Sequence, residues 1–259
     1  MNWQQVDRAA LLARSGYDPY VRWATPADVI AAAGEHGWVC VAPWRPSGHW
    51  GGAAVVAPDA PADAESEALE LLAASARERG VPIDWFSTAA GRELRAPAPL
   101  TVVGSGRWDF LWTEVPPVES PSSAVDLLEL DDTADAARIE VFARLHNPGF
   151  EGFPGRGFAT LWLGVADDQG DLIAVGSLHE LASGAPHLAG IVVHTDHRGR
   201  GLGRALTASL TRRAIQTAGV ATLGVYSDNA VALAVYAGLG YRTGRRFETR
   251  SLVTPDRAR

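Results

Sequence analysis

The chain has 259 residues, 47% of them hydrophobic, which is enough to bury the core of one large domain or two small ones. Its formal charge is −7, and all 23 basic residues are arginine, a balance that argues against nucleic acid and anionic membranes as partners and favours a cationic substrate. No apolar run is long enough to span a bilayer and no basic-then-apolar leader stands at Met1. The single cysteine, Cys40, excludes an internal disulfide and a cysteine-rich metal site. A soluble, cytoplasmic, bacterial protein is the expectation, with Cys40 a small buried hydrophobe.

From the N-terminus, residues 4–14 place Val6, Ala10 and Leu11 on one face of a helix, and residues 26–33 read as a second short helix with proline near its start. Residues 38–44 and 50–56 read as a hairpin joined by a Pro-Ser-Gly turn. Residues 64–79 carry Leu69, Leu72, Ala73 and Ala76 at helical spacing, and 83–87 is a strand. Residues 101–103 and 107–115 read as a hairpin about Gly104-Ser105-Gly106, and the Pro- and Ser-rich run 116–123 as a linker. Beyond it, a strand at 124–130 leads through Asp131 and Asp132 into a helix ending near His146, followed by a Gly- and Pro-rich loop at 147–155. Residues 158–166 and 171–181 form a hairpin; 187–194 and 222–226 are strands, a helix starts near Asn229, and a last hairpin ends near Val253.

The stretch richest in chemistry is centred on 191–204. Ile191-Val192-Val193 is a β-branched run suited to a buried strand, glycines stand at 199, 201 and 203, and Leu202, Leu206, Leu210 and Ala214 recur every four residues. Strand, glycine loop and helix start together leave backbone N–H groups free at the positive end of a helix dipole, which is a site for phosphate. Glycine takes φ > 0 there and lets a pyrophosphate approach the amides. A Walker loop needs Gly-Lys-Ser/Thr, and the chain has no lysine; a Rossmann fingerprint needs Gly-x-Gly-x-x-Gly, whereas the spacing is Arg198-x-x-Gly201-x-Gly203.

That Arg-x-x-Gly-x-Gly loop resembles the acetyl-CoA loop of the GNAT superfamily of acyl-CoA N-acyltransferases. Asn229, Ala232, Tyr236 and Leu239-Gly240-Tyr241 resemble the second motif of the same family. Thr195 departs from the proline many members carry, a change expected to touch turn rigidity more than chemistry. The resemblance implies acetyl-CoA as co-substrate, contacted by Arg198, Gly199, Arg200, Gly201, Leu202, Gly203 and Arg204, with the amides from 200 to 204 on the pyrophosphate. It implies that Ile191, Val192 and Val193 pair with the pantetheine arm and polarise the thioester carbonyl, that Asn229 contacts the cofactor, and that Tyr236 protonates the leaving thiolate. The general base stays open: His187 heads the candidates, either as a base or as a solvent-exposed histidine at a hairpin end, and His179, Glu180 and Glu151 follow. Phe150, Glu151 and Phe153 are expected to meet the acceptor, aromatic rings beside a carboxylate suiting an amine.

The run 52–59 aligns without gaps on 189–196, and the helix and strands that follow fall in step, so the N-terminal half resembles a second, degenerate unit. Its counterpart of the glycine loop, 61–67, has no glycine and carries Asp63, Glu65 and Glu67, which would repel a pyrophosphate. Eight of nine tryptophans precede the linker, as core or as an acceptor pocket built by the first unit. The expected fold is α/β (mixed α+β): two GNAT-like units, each a mostly antiparallel sheet flanked by helices. Residues 1–118 are expected not to bind CoA, and 119–259 to be an N-acetyltransferase acting on a small cationic amine. A protein or peptide amine is the second reading of the acceptor, and a non-catalytic acyl-CoA-binding or regulatory module the rival. No metal, nucleic acid or membrane is implied, and monomer and homodimer stay open.

Overall fold

The computed structural model describes residues 2–46, 49–118 and 125–253. The N-terminal half runs β1 (Gln4–Val6), α1 (Arg8–Arg14), α2 (Pro19–Ala24), β2 (Ile30–Gly34), β3 (Gly37–Pro43), β4 (Trp50–Val56), α3 (Ala64–Glu78), β5 (Trp85–Ala89) and β6 (Thr101–Thr113). The C-terminal half runs β7 (Leu128–Leu130), α4 (Ala136–His146), β8 (Ala159–Ala166), β9 (Leu172–Glu180), β10 (Pro186–Val193), α5 (Leu202–Ala218), β11 (Ala221–Tyr226), α6 (Ala230–Ala237) and β12 (Arg242–Val253).

The strands form one 12-stranded sheet in the order β1-β2-β3-β4-β5-β12-β6-β11-β10-β9-β8-β7. Among the described residues only β4–β5 and β10–β11 pair in parallel, and each of those pairs is joined by a crossover helix, α3 or α5. Each half therefore passes through the same strand order, with its parallel step in the same place. The last strands then cross: β12, from the C-terminal half, lies between β5 and β6, while β6, from the N-terminal half, lies between β12 and β11. A boundary at 118/119 divides the chain but not the sheet; of the linker read at 116–123, residues 119–123 lie outside the described residues.

Side-chain alternation puts one core on each face. In the first half Ile30, Ala32, Val39, Val41 and Ala54 meet Leu69 and Leu72 of α3, while Ala31, Ala33 and Cys40 face Leu11, Tyr20 and Trp38 on the other side. In the second half Leu178, Leu188 and Leu223 meet Leu206 and Leu210 of α5, the stripe read from the sequence, and Trp162, Val175 and Val192 meet Ile139 and Phe142 of α4.

Several elements differ from their sequence reading. Residues 4–6 are a strand paired with β2, and the helix starts only after Asp7, whose carboxylate accepts from Ala10 N–H at 2.8 Å. Residues 30–33, the latter part of the helix read at 26–33, belong instead to β2, a strand buried on both faces between β1 and β3, a packing that overrides the helix propensity of Ala31-Ala32-Ala33. Gly104-Ser105-Gly106 is no turn but extended chain opposite Thr249–Ser251. The final hairpin is one strand, with a bulge at Gly244 where a Cβ would stand 3.1 Å from both Phe110 and Pro19.

Candidate active site

β10 and β11 begin as a parallel pair, His187 opposite Thr222 and Leu188 opposite Leu223, and among the described residues no ladder pair joins them beyond that point. β10 continues along β9 through a bulge between Ala189 and Val192, where Gly190 holds φ 62. A Cβ on Gly190 would stand 2.9 Å from Gly152 Cα, so the 147–155 loop is pressed onto the bulge at this point. The strands thus part, leaving the β11 edge of β10 without a strand partner just before α5. Val192 packs toward α4, and Ile191 and Val193 toward α5.

The loop that follows makes one 3-10 turn at Thr195–His197, an extended Arg198 (φ −65, ψ 158), and left-handed residues at Gly199 (φ 76) and Gly201 (φ 84). Gly201 is the N-cap of α5, and no side chain caps that helix. The first-turn amides of Leu202, Gly203 and Arg204 therefore lack intrahelical acceptors and lie at the positive end of the helix. An added Cβ at Gly199 or Gly201 meets nothing within 4 Å, so conformation rather than crowding asks for glycine at these two positions.

The arginines divide by role. Arg198 Nη2 donates to the His146 carbonyl at 2.8 Å and ties the loop to the end of α4. Arg204 Nη2 donates to the Gly238 carbonyl at 3.0 Å and ties α5 to the end of α6, while Arg200 is exposed. Thr195 hydrogen-bonds His146 Nδ1 through its hydroxyl (3.0 Å) and its backbone N–H (3.3 Å); a proline has neither group, so this departure from the family pattern adds a tie to α4.

Asn229 caps α6, its Oδ1 accepting from Ala232 N–H at 3.1 Å, and so holds the helix that carries Tyr236. Tyr236 is buried 5.9 Å from the Tyr241 ring, and its hydroxyl makes no hydrogen bond with a described residue. Burial pushes its pKa up to about 12, so it keeps the proton that a donor needs.

His187 is buried on the opposite face of the sheet, edge-on to Trp44 at 5.4 Å. The Thr222 hydroxyl donates to the Pro186 carbonyl at 2.8 Å, so the 3.0 Å contact between His187 and Thr222 is Nδ1–H donating to Oγ1. Nε2 then carries the lone pair and faces Gly224, where an added Cβ would stand 3.9 Å from Nε2 and 3.3 Å from the Trp108 ring. Burial, then the nearby Arg45 and His179, hold the His187 pKa well below the usual histidine value.

The acceptor candidates separate. Phe150 is core, 2% exposed and packed on Trp162. Glu151 is exposed and accepts from the Tyr226 hydroxyl at 3.0 Å, linking the loop to β11 across the parted strands. Phe153 lies at the surface against Phe158. Glu180 is exposed at the end of β9; His179 is fully buried beside His187, its Nδ1 accepting from Arg45 Nε at 3.3 Å. Desolvation, then Arg45, lowers His179 to about 4, while the Gly152 carbonyl, close enough to favour the charged form, makes no well-formed hydrogen bond to Nε2.

Tyr226, Trp44 and Arg45 were not singled out from the sequence. Tyr226 ends a strand that was read correctly, but nothing local pairs it with Glu151. Trp44 and Arg45 belong to the other half of the chain and arrive through the shared sheet. Gly190, inside an apolar strand, was the one available sign of a bulge. The tryptophans prove mixed: Trp38 is core, whereas Trp44 joins Tyr20 and Trp108 to His187. Cys40 is buried, its thiol pushed up to about 12 by desolvation. Among the described residues no cluster of three or more His, Cys, Asp or Glu is placed to hold a metal, and no helix is long and apolar enough to cross a membrane.

Two strands parting beside an uncapped, glycine-bounded helix start, within a mixed sheet flanked by helices, define an acyltransferase fold. Residues 126–241 match the acetyltransferase (GNAT) family. Nearly the whole chain shares its fold with GNAT structures from Novosphingobium aromaticivorans (20% identity, 94% of this chain and 96% of that one, TM-score 0.55) and Kribbella flavida (17%, 94% and 95%, 0.52). A third, from Colwellia psychrerythraea, is 13% identical over 98% of this chain and 100% of that one, with a TM-score of 0.51. No curated protein matches the sequence. The family generally uses acetyl-CoA as co-substrate.

Proposed function

We propose that the protein is an acetyl-CoA-dependent N-acetyltransferase that passes acetyl directly to the primary amine of a small acceptor, cationic in its resting ammonium form. The observation that carries this reading is the parting of β10 from β11 beside the uncapped start of α5. The amides of 200–204 suit a pyrophosphate, and the open edge of β10 suits the amide-bearing pantetheine arm, which can complete the ladder as a strand would. Amides at the bulge would then donate to the thioester carbonyl as charge develops on its oxygen.

Around that slot the chain supplies both proton positions. Glu151 receives the ammonium, which gives up one proton to solvent so that the neutral amine can attack, and His187 Nε2, held as the lone-pair nitrogen by Thr222, takes the second proton from that nitrogen once the C–N bond has formed and passes it to solvent. As the C–S bond breaks, Tyr236 gives its proton to the thiolate and recovers one from solvent. Cys40, buried and protonated, takes no part.

The N-terminal half is assigned no second cofactor site. At the start of its crossover helix, α3, Glu65 is fully buried and held by Arg92 Nε and Nη2 at 2.6 and 2.9 Å, with Nη2 also donating to the Pro61 carbonyl at 3.0 Å. An internal ion pair thus fills the ground a pyrophosphate would need.

Calorimetric titration of acetyl-CoA, followed by an amine screen for CoA release, tests the reading. One site per chain with turnover is expected. Two sites would overturn the assignment of the first half, binding without turnover of any amine would leave a binding module, and no binding would sink the acyltransferase reading.

A further inference from the structure

Arg45 reaches from the first half into the acceptor side of the second. Its guanidinium lies 5.3 Å from the Phe153 ring centre and 5.0 Å from that of Phe158, and its Nε donates to buried His179. It is half-buried, yet among the described residues it has no ion pair and its Nη groups have no hydrogen bond. Glu151 is felt electrostatically but stands beyond ion-pair distance. A guanidinium drawn partly out of water normally gains a carboxylate in compensation. Here the aromatic faces and the neutral His179 nitrogen hold it in place without neutralising it, and leave the planar fork of its Nη groups unused. Glu151 accepts from the Tyr226 hydroxyl at the parted strands, and His187 lies directly opposite His179 on the neighbouring strand.

We propose that Arg45 is the anchor for a carboxylate on the acceptor, so that the acceptor is an amino acid or a close analogue, with its amine toward Glu151 and its carboxylate on Arg45. This rests on the acetyltransferase reading for the identity of the amine-bearing molecule, but the binding it requires is measurable without turnover. Both halves of the chain then build one site, the second supplying the cofactor slot and the first the acceptor's counter-charge.

The test compares the twenty free amino acids with their carboxamides on the full chain, by calorimetric titration in the presence of CoA and in parallel by acetyl transfer from acetyl-CoA. At least one amino acid is expected to bind about tenfold or more tightly than its amide, as loss of a charge-assisted bidentate contact implies. Arg45→Met should bring that ratio near one, and Arg45→Lys should leave it in between. Equal binding of acids and amides by the wild type overturns the proposal without any variant, as does an unchanged ratio in Arg45→Met. Acids that bind while acetyl-CoA is never consumed would sink the acetyltransferase reading and keep the carboxylate site. Amides acetylated as readily as acids would do the reverse.

Discussion

Gly201 separates conformation from charge at the proposed cofactor loop. Its φ of 84 is reached by alanine at a cost of about 1 kcal/mol, whereas aspartate tolerates the left-handed region better. Because a Cβ at this position meets nothing within 4 Å, neither Gly201→Ala nor Gly201→Asp creates a clash. If the loop works only through its shape, alanine should impair acetyl-CoA binding at least as much as aspartate. If it works by presenting free amides to a pyrophosphate, aspartate adds a carboxylate within roughly 5 Å of two phosphates, at about 1 kcal/mol each in water-like screening and about 3 in a less polar site. We expect Gly201→Ala to weaken binding less than about tenfold. Gly201→Asp should weaken it more than about thirtyfold at low salt, the gap narrowing as salt rises. Urea unfolding of the free protein should rank the variants the other way, with aspartate the less destabilised. Calorimetry with acetyl-CoA at two ionic strengths decides; equal losses, or alanine the weaker binder at both, would refute the phosphate reading.

Tyr236→Phe should lower kcat about ten- to a hundredfold with little change in the KM for acetyl-CoA, slowing the reaction without abolishing it, since a thiolate is already a fair leaving group. Steady-state kinetics reads this, and an unchanged kcat would remove Tyr236 from the chemistry. Arg92→Ala should cost about 3 kcal/mol in chemical denaturation by leaving the buried Glu65 carboxylate without its cation, and adding Glu65→Gln should recover part of it. An Arg92→Ala protein as stable as the parent would show that pair to be dispensable. His179 and His187 are held neutral in the folded chain, so the unfolded chain binds more protons once the pH drops below the usual histidine value of about 6.5. Stability should be full above that pH and fall steadily toward pH 4; His179 alone, lowered to about 4, accounts for about 3 kcal/mol over this window. His179→Gln should flatten the fall, and an unchanged slope would refute the assignment.

What the sequence carried about this site was local. The loop and α5 are written in positive-φ glycines and a four-residue apolar repeat, both set by neighbours within one or two turns, and Asn229 and Tyr236 are fixed by one short helix. The elements misread are those whose partners lie far away in the chain. Residues 30–33 become a strand because β1 and β3 flank them, and 104–106 stay extended because Thr249–Ser251 lie opposite. Arg45 carries no local signal at all, since its neighbours Phe153, Phe158 and His179 come more than a hundred residues later.

The crossing of β6 and β12 joins the two halves in one sheet despite the linker. A fragment 119–259 would lack β6, and with it the antiparallel partner of β11 over 221–226 and of β12 over 242–253. It would also lack β5, so β12 would lose the strands on both of its edges. β6 runs antiparallel to both neighbours, so β12 is parallel to β11; closing the gap would require a new parallel ladder in a new register, with buried Phe247 deprived of Tyr20 and Trp108. Unpaired edges of this length invite aggregation. We therefore expect the fragment to show no cooperative thermal transition by circular dichroism and no acetyl-CoA binding, although it contains every residue of the proposed cofactor loop. A fragment 99–259, which restores β6, should recover part of both. A cooperatively folding 119–259 with full affinity for acetyl-CoA would show instead that the second half carries its own sheet, and that β6 and β12 associate only after each half has folded.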